Sequence, residues 1–363
     1  MRAAVLYQPG TRLEIKDIEL LPPQRGEVRV RLAASGICHS DLHYIRGNVD
    51  TPVPIVLGHE GAGVVEEVGP GVTRAQPGDH VVLVWRAFCG RCFYCLRGQP
   101  IHCEFNPILR SGLMPDGTAR LRHEGQSIRQ LVGIGCFAEQ VVTPQESIVR
   151  IRPDVPLDRA ALMGCGVTTG IGAALFTAQV RDGESVLVVG AGGVGLNVIQ
   201  GAHLAGAYPI IVADLLPSKL EAARRFGASH TVNPREQDLL AVTRELTEGR
   251  GTDYGFEVIG LVETMQQVYA AIRKGGTFVI VGQTQAGAVF PLDPLMMLRE
   301  GKTIKGAPYG SANLPVDIPR LLDLYVGGRL KLDELITQRY SLEEVNEAYE
   351  ALERGDLLRG VIV

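Results

Sequence analysis

Gly190-Ala-Gly192-Gly193-Val194-Gly195 constrains this chain more than any other stretch. It closes a short apolar run, Ser185-Val-Leu-Val-Val, and opens a helical pattern over 196–206. A second apolar run, Pro209-Ile-Ile-Val-Ala-Asp214, follows. Strand, glycine turn, helix and strand in that order form a βαβ unit. Glycines at this spacing can mark an ordinary turn. The flanking strand and helix, and an acidic residue ending the second strand, point instead to a dinucleotide site. Gly190 permits the tight turn, Gly192 lets backbone approach a pyrophosphate, and Gly195 lets helix pack on strand. The helix start at Gly193 and Val194 offers N–H groups and a positive dipole end to phosphates. Asp214 can accept hydrogen bonds from both hydroxyls of an adenosine ribose. Its charge repels a 2′-phosphate, which favours NAD over NADP. Strands over 254–260 and 277–283, with a helical pattern over 263–276 between them, extend the alternation. Such alternation predicts a parallel sheet with right-handed crossovers.

The N-terminal part reads differently. Short apolar runs alternate with turn signals through residues 1–35, and Glu27-Val-Arg-Val-Arg-Leu has the period of a strand. Strand character returns at 77–84 and 137–143, with glycine turns throughout. Residues 104–136 are polar and weakly periodic. A Pro-rich joint at 151–158 leads into a single small-residue helix over 159–175, where Gly170 and Gly172 allow close packing.

Inside the β-rich part, Cys89, Cys92, Cys95 and Cys103 crowd into one short stretch of a chain with seven cysteines. Two-residue gaps let the sulfurs converge, and tetrahedral zinc takes four such donors. A redox Cys-x-x-Cys would leave two thiols unexplained. With its coordination filled by protein, this zinc is structural. Cys38, His59 and Cys165 also carry metal-ligand chemistry, each in a glycine-rich motif. Two thiolates and an imidazole leave one position open on zinc, as a catalytic site requires. Cys136 is left over as a small buried apolar residue.

Net charge is −4 with no long basic run, so nucleic acid and anionic membrane are not expected partners. A zinc-knuckle nucleic-acid binder would need a basic face. No apolar run approaches the roughly 20 residues that span a bilayer. With no signal-peptide pattern and its cysteines assigned to metal, the chain is expected in the cytoplasm. Its 363 residues suffice for two or three domains.

Gly36-Ile-Cys-His-Ser-Asp-Leu-His43, Gly58-His-Glu-Gly-Ala-Gly63, the cysteine lobe, Gly164-Cys-Gly-Val-Thr-Thr-Gly170, the glycine turn and Phe256-Glu-Val-Ile-Gly260 together resemble the zinc-dependent medium-chain alcohol dehydrogenases. The likeness runs over essentially the whole chain. Met114-Pro-Asp-Gly-Thr118 resembles the animal-type and glutathione-dependent formaldehyde dehydrogenase branch. The resemblance implies a fold of class α/β plus β. A GroES-like catalytic domain, a partly open β-barrel, would span 1–165, with 308–363 returning to it. A Rossmann NAD-binding domain with a doubly wound parallel sheet would span 166–307, with the active cleft between the two.

The resemblance also implies roles. Two Zn²⁺ per chain are expected: a catalytic one on Cys38, His59 and Cys165, the ligand set known for alcohol dehydrogenase, and a structural one on the cysteine lobe. Glu60 would be an outer or transient ligand, and Asp41 would orient a ligand. Ser40 would meet the substrate oxygen and His43 would end the proton relay. His39, Thr169, Lys219 and Arg359 would contact the cofactor, Arg359 at the pyrophosphate. Val49, Trp85 and Phe137 would line the substrate pocket, and Arg110 could hold a thiol carrier's carboxylate.

The implied reaction is reversible oxidation of a primary alcohol, aromatic ones included, through a zinc alkoxide and hydride transfer to NAD. The partners would be a small alcohol or aldehyde and a second copy of the chain. A homodimer or homotetramer would pair sheet edges through Thr277-Phe-Val-Ile-Val-Gly282. Oxidation of an S-hydroxymethyl thiol adduct is the alternative within enzymes. A catalytically silent NAD-binding redox sensor is the alternative outside them, but it would expect damage to Cys38, Ser40, His59 or Cys165, and all are present.

Overall fold

The alternation at Glu27 produces the strand Glu27–Gly36, with Val28 and Val30 buried and Arg31 turned outward. The structure is a computed structural model describing residues 1–363. It divides into two compact units, Met1–Cys165 with Asn313–Val363, and Gly166–Ala312.

In the first unit, Glu27–Gly36 pairs antiparallel with Gly61–Val68, with Gln140–Pro144 and with the C-terminal strand Arg359–Ile362. These belong to a seven-stranded sheet that continues through His80–Leu83 and Ile148–Arg150 on one side and Ile336–Tyr340 on the other. A six-stranded sheet runs Glu14–Asp17, Arg2–Leu6, Ile55–Val56, Gln126–Gln130, Leu121–His123, Glu19–Leu20. Together they form the partly open barrel of a GroES-like domain. One core gathers Val28, Val30, Val65, Val81, Leu83, Val141 and Ile148. A second packs the first strand against the helix Val345–Arg354, which buries Val345, Ala348, Tyr349, Ala351 and Leu352. That spacing is the apolar face of an amphipathic helix.

The polar stretch 104–136 is more ordered than its periodicity suggests. It holds Leu121–His123 and Gln126–Gln130 as an antiparallel pair. Arg120 anchors it by a buried fork onto Glu27, with Nε and Nη2 each donating at 2.7 Å. Weak periodicity hid this because the apolar residues that bury, Leu121, Ile128 and Leu131 among them, are scattered, and a long-range ion pair helps fix the segment.

The expected single helix over 159–175 does not form. Leu157–Ala161 runs into a tight turn at 162–164, and Cys165 leaves helical geometry at φ −154°, ψ −74°. Helix resumes over Gly166–Gly172.

The second unit is a parallel six-stranded sheet. Numbered in chain order, its strands are Val186–Val189, Ile210–Ala213, His230–Val232, Thr252–Glu257, Ile272–Ile280 and Thr303–Gly306. Their spatial order is 3-2-1-4-5-6, all parallel, which defines the doubly wound dinucleotide fold. All four residues of the first strand are buried, as expected of a strand covered on both faces. Gly170 packs so closely on the helix Gly193–Leu204 that a Cβ there would strike the Val194 carbonyl. One expectation is corrected: Thr277–Gly282 offers no free edge. Ile272–Ile280 is paired on both sides, and the open edges are His230–Val232 and Thr303–Gly306. No single helix is long and apolar enough to cross a membrane.

Candidate metal centres and dinucleotide site

Pairing of Glu27–Gly36 with Gly61–Val68 sets Ser35 opposite Gly61. The chain just beyond each strand end therefore meets, and the Gly36 N–H donates to the Glu60 carbonyl at 2.8 Å. Cys38 begins the helix His39–Ile45. His59 and Glu60 precede their strand, and Cys165 sits at the break in the 157–172 helical segment. Ligand atoms of Cys38, His59, Glu60 and Cys165 all lie within 4.8 Å of one another, and all four residues are buried. Gly36 is required here by close approach, since a Cβ would run into Glu60 Oε2.

Asp41, fully buried, holds the imidazole. Its Oδ2 lies 3.0 Å from His59 Nδ1, and its Oδ1 accepts the Gly58 N–H at 3.1 Å. With Nδ1–H directed at the carboxylate, Nε2 is left for a metal, the usual outer support of a ligating histidine. Burial opposes a charged His59, but Asp41 and the two thiols outweigh it and raise its pKa well above the usual value. The bond between the two thiols makes Cys38 the acid of the pair, and His59 adds to the effect. The same bond, with burial, pushes Cys165 up. Two sulfurs and an oriented imidazole in a buried cluster fit zinc. Burial raises Glu60 to about 7, against the pull of Arg359.

The last strand carries Arg359 into the first unit, where its buried guanidinium pairs with Glu60. Its Nε is buried with no hydrogen-bond partner.

The cysteine lobe forms a second cluster, with the sulfurs of Cys89, Cys92, Cys95 and Cys103 within 4.8 Å of one another. None is in a disulfide. Backbone N–H groups of Cys89 and Phe105 donate to Cys103 Sγ at 3.2 and 3.5 Å. Those of Arg91 and Cys92 donate to Cys89 Sγ at 3.4 and 3.3 Å. Amides aimed at sulfur stabilise thiolates, which is what four-sulfur zinc coordination needs. Burial works against the Cys92 thiolate, yet amides of Cys95 and Glu104 bring it down to about 6. Burial pushes Cys103 up to about 12.

Ser40 Oγ lies 3.7 Å from Cys38 Sγ, and half-buried His43 follows one turn on in the same helix. Spacing of i and i+3 puts both on one helical face. Half-buried Trp85 meets the His59 ring edge-on at 6.4 Å and 90°. Half-buried Val49 donates its N–H to the His43 carbonyl at 3.3 Å. Phe137 is fully buried, with its ring 6.1 Å from Tyr349.

In the second unit, Gly190 turns the chain at φ +101°. No side chain caps the helix at Gly192, and a Cβ at Gly192 would meet nothing within 4 Å. Gly193 and Val194 are half-exposed at the helix start. A Cβ at Gly195 would collide with the Gly190 carbonyl. The result is an open cradle before a helix N-terminus, suited to a pyrophosphate. Asp214 Oδ2 accepts the Ala191 N–H at 2.8 Å and Oδ1 the Leu216 N–H at 3.0 Å. The carboxylate thus ties the glycine turn to the second strand, a role absent from the sequence reading. Each oxygen keeps lone-pair capacity for a ribose hydroxyl. Lys219 lies half-buried in the next helix, Pro217–Arg225. Thr169 Oγ1 is buried without a partner, as a group awaiting a ligand would be. His39 lies exposed in the first unit.

Two functional candidates had no sequence signal. Tyr349 belongs to a helix 300 residues downstream, yet burial and the Asp41 carboxylate together raise its pKa well above the usual value. Arg86 stacks on Trp85, its Cζ 4.8 Å from the ring centre.

Comparison with known proteins bears on this combination of sites. Residues 24–153 match the alcohol dehydrogenase GroES-like domain, and residues 193–326 match the zinc-binding dehydrogenase model. The chain is 43% identical to the NDMA-dependent alcohol dehydrogenase of Amycolatopsis methanolica, covering 100% of this chain and 98% of that one. It is 40% identical to the class-3 alcohol dehydrogenase of Cereibacter sphaeroides, covering 100% and 99%. The benzyl alcohol dehydrogenase structure from Acinetobacter calcoaceticus superposes with a TM-score of 0.94 at 34% identity, covering 99% and 98%. The chain belongs to the zinc-dependent medium-chain alcohol dehydrogenase family. It is an oxidoreductase acting on alcohols.

Proposed function

We propose that this chain oxidises primary alcohols, aromatic ones among them, to aldehydes with NAD as hydride acceptor, and runs the reaction in reverse. The observation that carries this reading is the buried convergence of Cys38, His59, Glu60 and Cys165, with His59 oriented by Asp41. Cys38, His59 and Cys165 would hold a catalytic zinc, and Cys89, Cys92, Cys95 and Cys103 a structural one. When bound, zinc acidifies the substrate hydroxyl as a Lewis acid and NAD accepts the hydride.

The residues do the rest. Ser40 Oγ, beside the cluster, takes the hydroxyl proton. The His43 imidazole accepts it one turn on, since a neutral imidazole nitrogen can take up a proton that the other nitrogen later releases. The Arg359 guanidinium offsets the carboxylate of Glu60 beside the thiolates. The cradle at Gly192 takes the pyrophosphate, and Asp214 holds the adenosine ribose and disfavours a 2′-phosphate. The Thr169 hydroxyl is free to bond the nicotinamide end, and Lys219 reaches the ribose.

Metal analysis with an NAD-linked alcohol panel tests this. Two zincs per chain and NADH formation with benzyl alcohol are expected; metal-loaded protein silent on every alcohol would refute it. The relative named for NDMA dependence supports a second reading, in which NDMA replaces free NAD as acceptor. Aldehyde formation with NAD alone, against NDMA alone, separates the two. The relative named class-3 keeps an S-hydroxymethyl thiol adduct in the panel. A homodimer or homotetramer belongs to the same proposal, now through the open edge Thr303–Gly306. Sedimentation as a monomer at micromolar concentration would refute it.

A further inference from the structure

We infer that Arg86 forms an anion-binding subsite beside the catalytic cluster, and that the preferred alcohol carries a carboxylate about one aromatic ring away from its carbinol. The inference rests on the proposed alcohol oxidation and names the substrate class for that site.

Trp85 stands edge-on to the metal-ligating His59 at 6.4 Å. The Arg86 guanidinium lies over the same indole at 4.8 Å. Arg86 and His59 thus pack against one and the same indole. A carboxylate set across the ring of an aromatic alcohol from its carbinol is the anion such a placement would take.

The second observation is what Arg86 lacks. Several buried or half-buried arginines of this unit have carboxylates, among them Arg120 on Glu27, Arg359 on Glu60, and Arg159 on Asp158 and Asp333. Arg86 makes no ion pair, and its Nε is buried with no hydrogen-bond partner. Arg110, the next positive charge beside it, has no carboxylate partner either. Burial, and then the charge of Arg110, hold the Arg86 guanidinium below its ordinary value. A half-buried cation stacked on tryptophan, near a like charge and without a counter-ion, is unfavourable for folding alone. A bound anion reverses that balance. Stacking leaves the guanidinium's in-plane N–H groups pointing away from the ring, and this flat fork matches a carboxylate with two parallel bonds.

The test uses matched ligands on the full zinc-loaded chain: benzyl alcohol, 4-(hydroxymethyl)benzoate and the unreactive 4-methylbenzoate. Wild type is expected to favour 4-(hydroxymethyl)benzoate over benzyl alcohol in kcat/KM. Arg86→Gln should lower that ratio about ten- to a hundredfold, the worth of a charged hydrogen-bonded pair. Arg86→Lys, which keeps the charge but loses the fork, should retain part of it. Calorimetry should show 4-methylbenzoate binding to wild type and weakened to the same degree in Arg86→Gln. Zinc content and melting curves establish that the variants are folded. A ratio unmoved by Arg86→Gln, or an equal fall for both alcohols, makes Arg86 a packing residue of Trp85 and overturns the inference. If wild type oxidises neither alcohol, the proposed reaction fails. The 4-methylbenzoate arm then still decides the subsite, and no binding, or binding indifferent to Arg86→Gln, overturns it.

Discussion

Replacing Asp214 separates two jobs that one carboxylate performs. Its oxygens accept the Ala191 and Leu216 N–H groups at 2.8 and 3.0 Å, which pins the glycine turn to the second strand. In Asp214→Ala both amides lose their partner, that of fully buried Ala191 and that of half-buried Leu216. At about 0.5–1.5 kcal/mol net for each bond, stability should fall by roughly 1–3 kcal/mol. The same truncation removes the acceptor for the ribose hydroxyls. Charged bonds of about 1.5–3 kcal/mol imply a ten- to hundredfold weaker affinity for NAD. Asp214→Asn divides the effects: it keeps a carbonyl acceptor for the turn but loses the charge that repels a 2′-phosphate. The assays are urea unfolding, and calorimetric titration with NAD and NADP at a temperature where each variant is folded. Both variants should narrow the gap between the two cofactors, and Asp214→Asn should be the more stable. If the NAD-to-NADP ratio stays at its wild-type value in both while stability falls, the carboxylate only builds the turn. The ribose assignment would then be wrong.

Cys92→Ser should reduce zinc from two to one per chain and lower the unfolding midpoint before it affects chemistry, because metal and fold of the cysteine lobe are coupled; unchanged metal content would refute the second centre. Asp41→Asn should weaken the catalytic zinc about ten- to a hundredfold by chelator competition, with the cysteine-lobe zinc as internal control; equal loss from both centres would point to general destabilisation. Arg120→Met leaves Glu27 buried without its partner, at side-chain exposures of 4% and 5%, and should cost about 3–5 kcal/mol in urea unfolding. The double variant Arg120→Met with Glu27→Leu should recover most of that loss. A single variant as stable as wild type would show that the buried pair does not anchor residues 104–136.

Local chemistry was legible wherever the chain solves a problem within a few residues. The glycine turn, its helix and Asp214 sit within one βαβ unit, so the spacing together with its flanking strand and helix indicated a dinucleotide cradle. The cysteine lobe is equally local, since its sulfurs lie within one short loop. Period-two alternation at Glu27 and the buried run at Val186 marked strands because side-chain direction follows backbone period.

Tertiary structure decided what depends on residues far apart in sequence. Cys38, His59 and Cys165 each appeared only as candidate ligands, and sheet pairing at Ser35 and Gly61 with a helix break at Cys165 brings them together. The break itself was hidden, since the small residues around it suit a continuous helix. Arg359 sits on Glu60 because the last strand pairs with Glu27–Gly36, and no local pattern states that register. Ile272–Ile280 is enclosed because Thr303–Gly306 adds beyond it, so strand character could not reveal which edge is open. Arg86 gains its meaning from the ring it stacks on and the carboxylates it lacks. The sequence by itself determined motifs whose geometry is set by backbone period and short spacing. Only the folded chain could set charge balance and metal convergence, because both are sums over neighbours that the sequence does not place side by side.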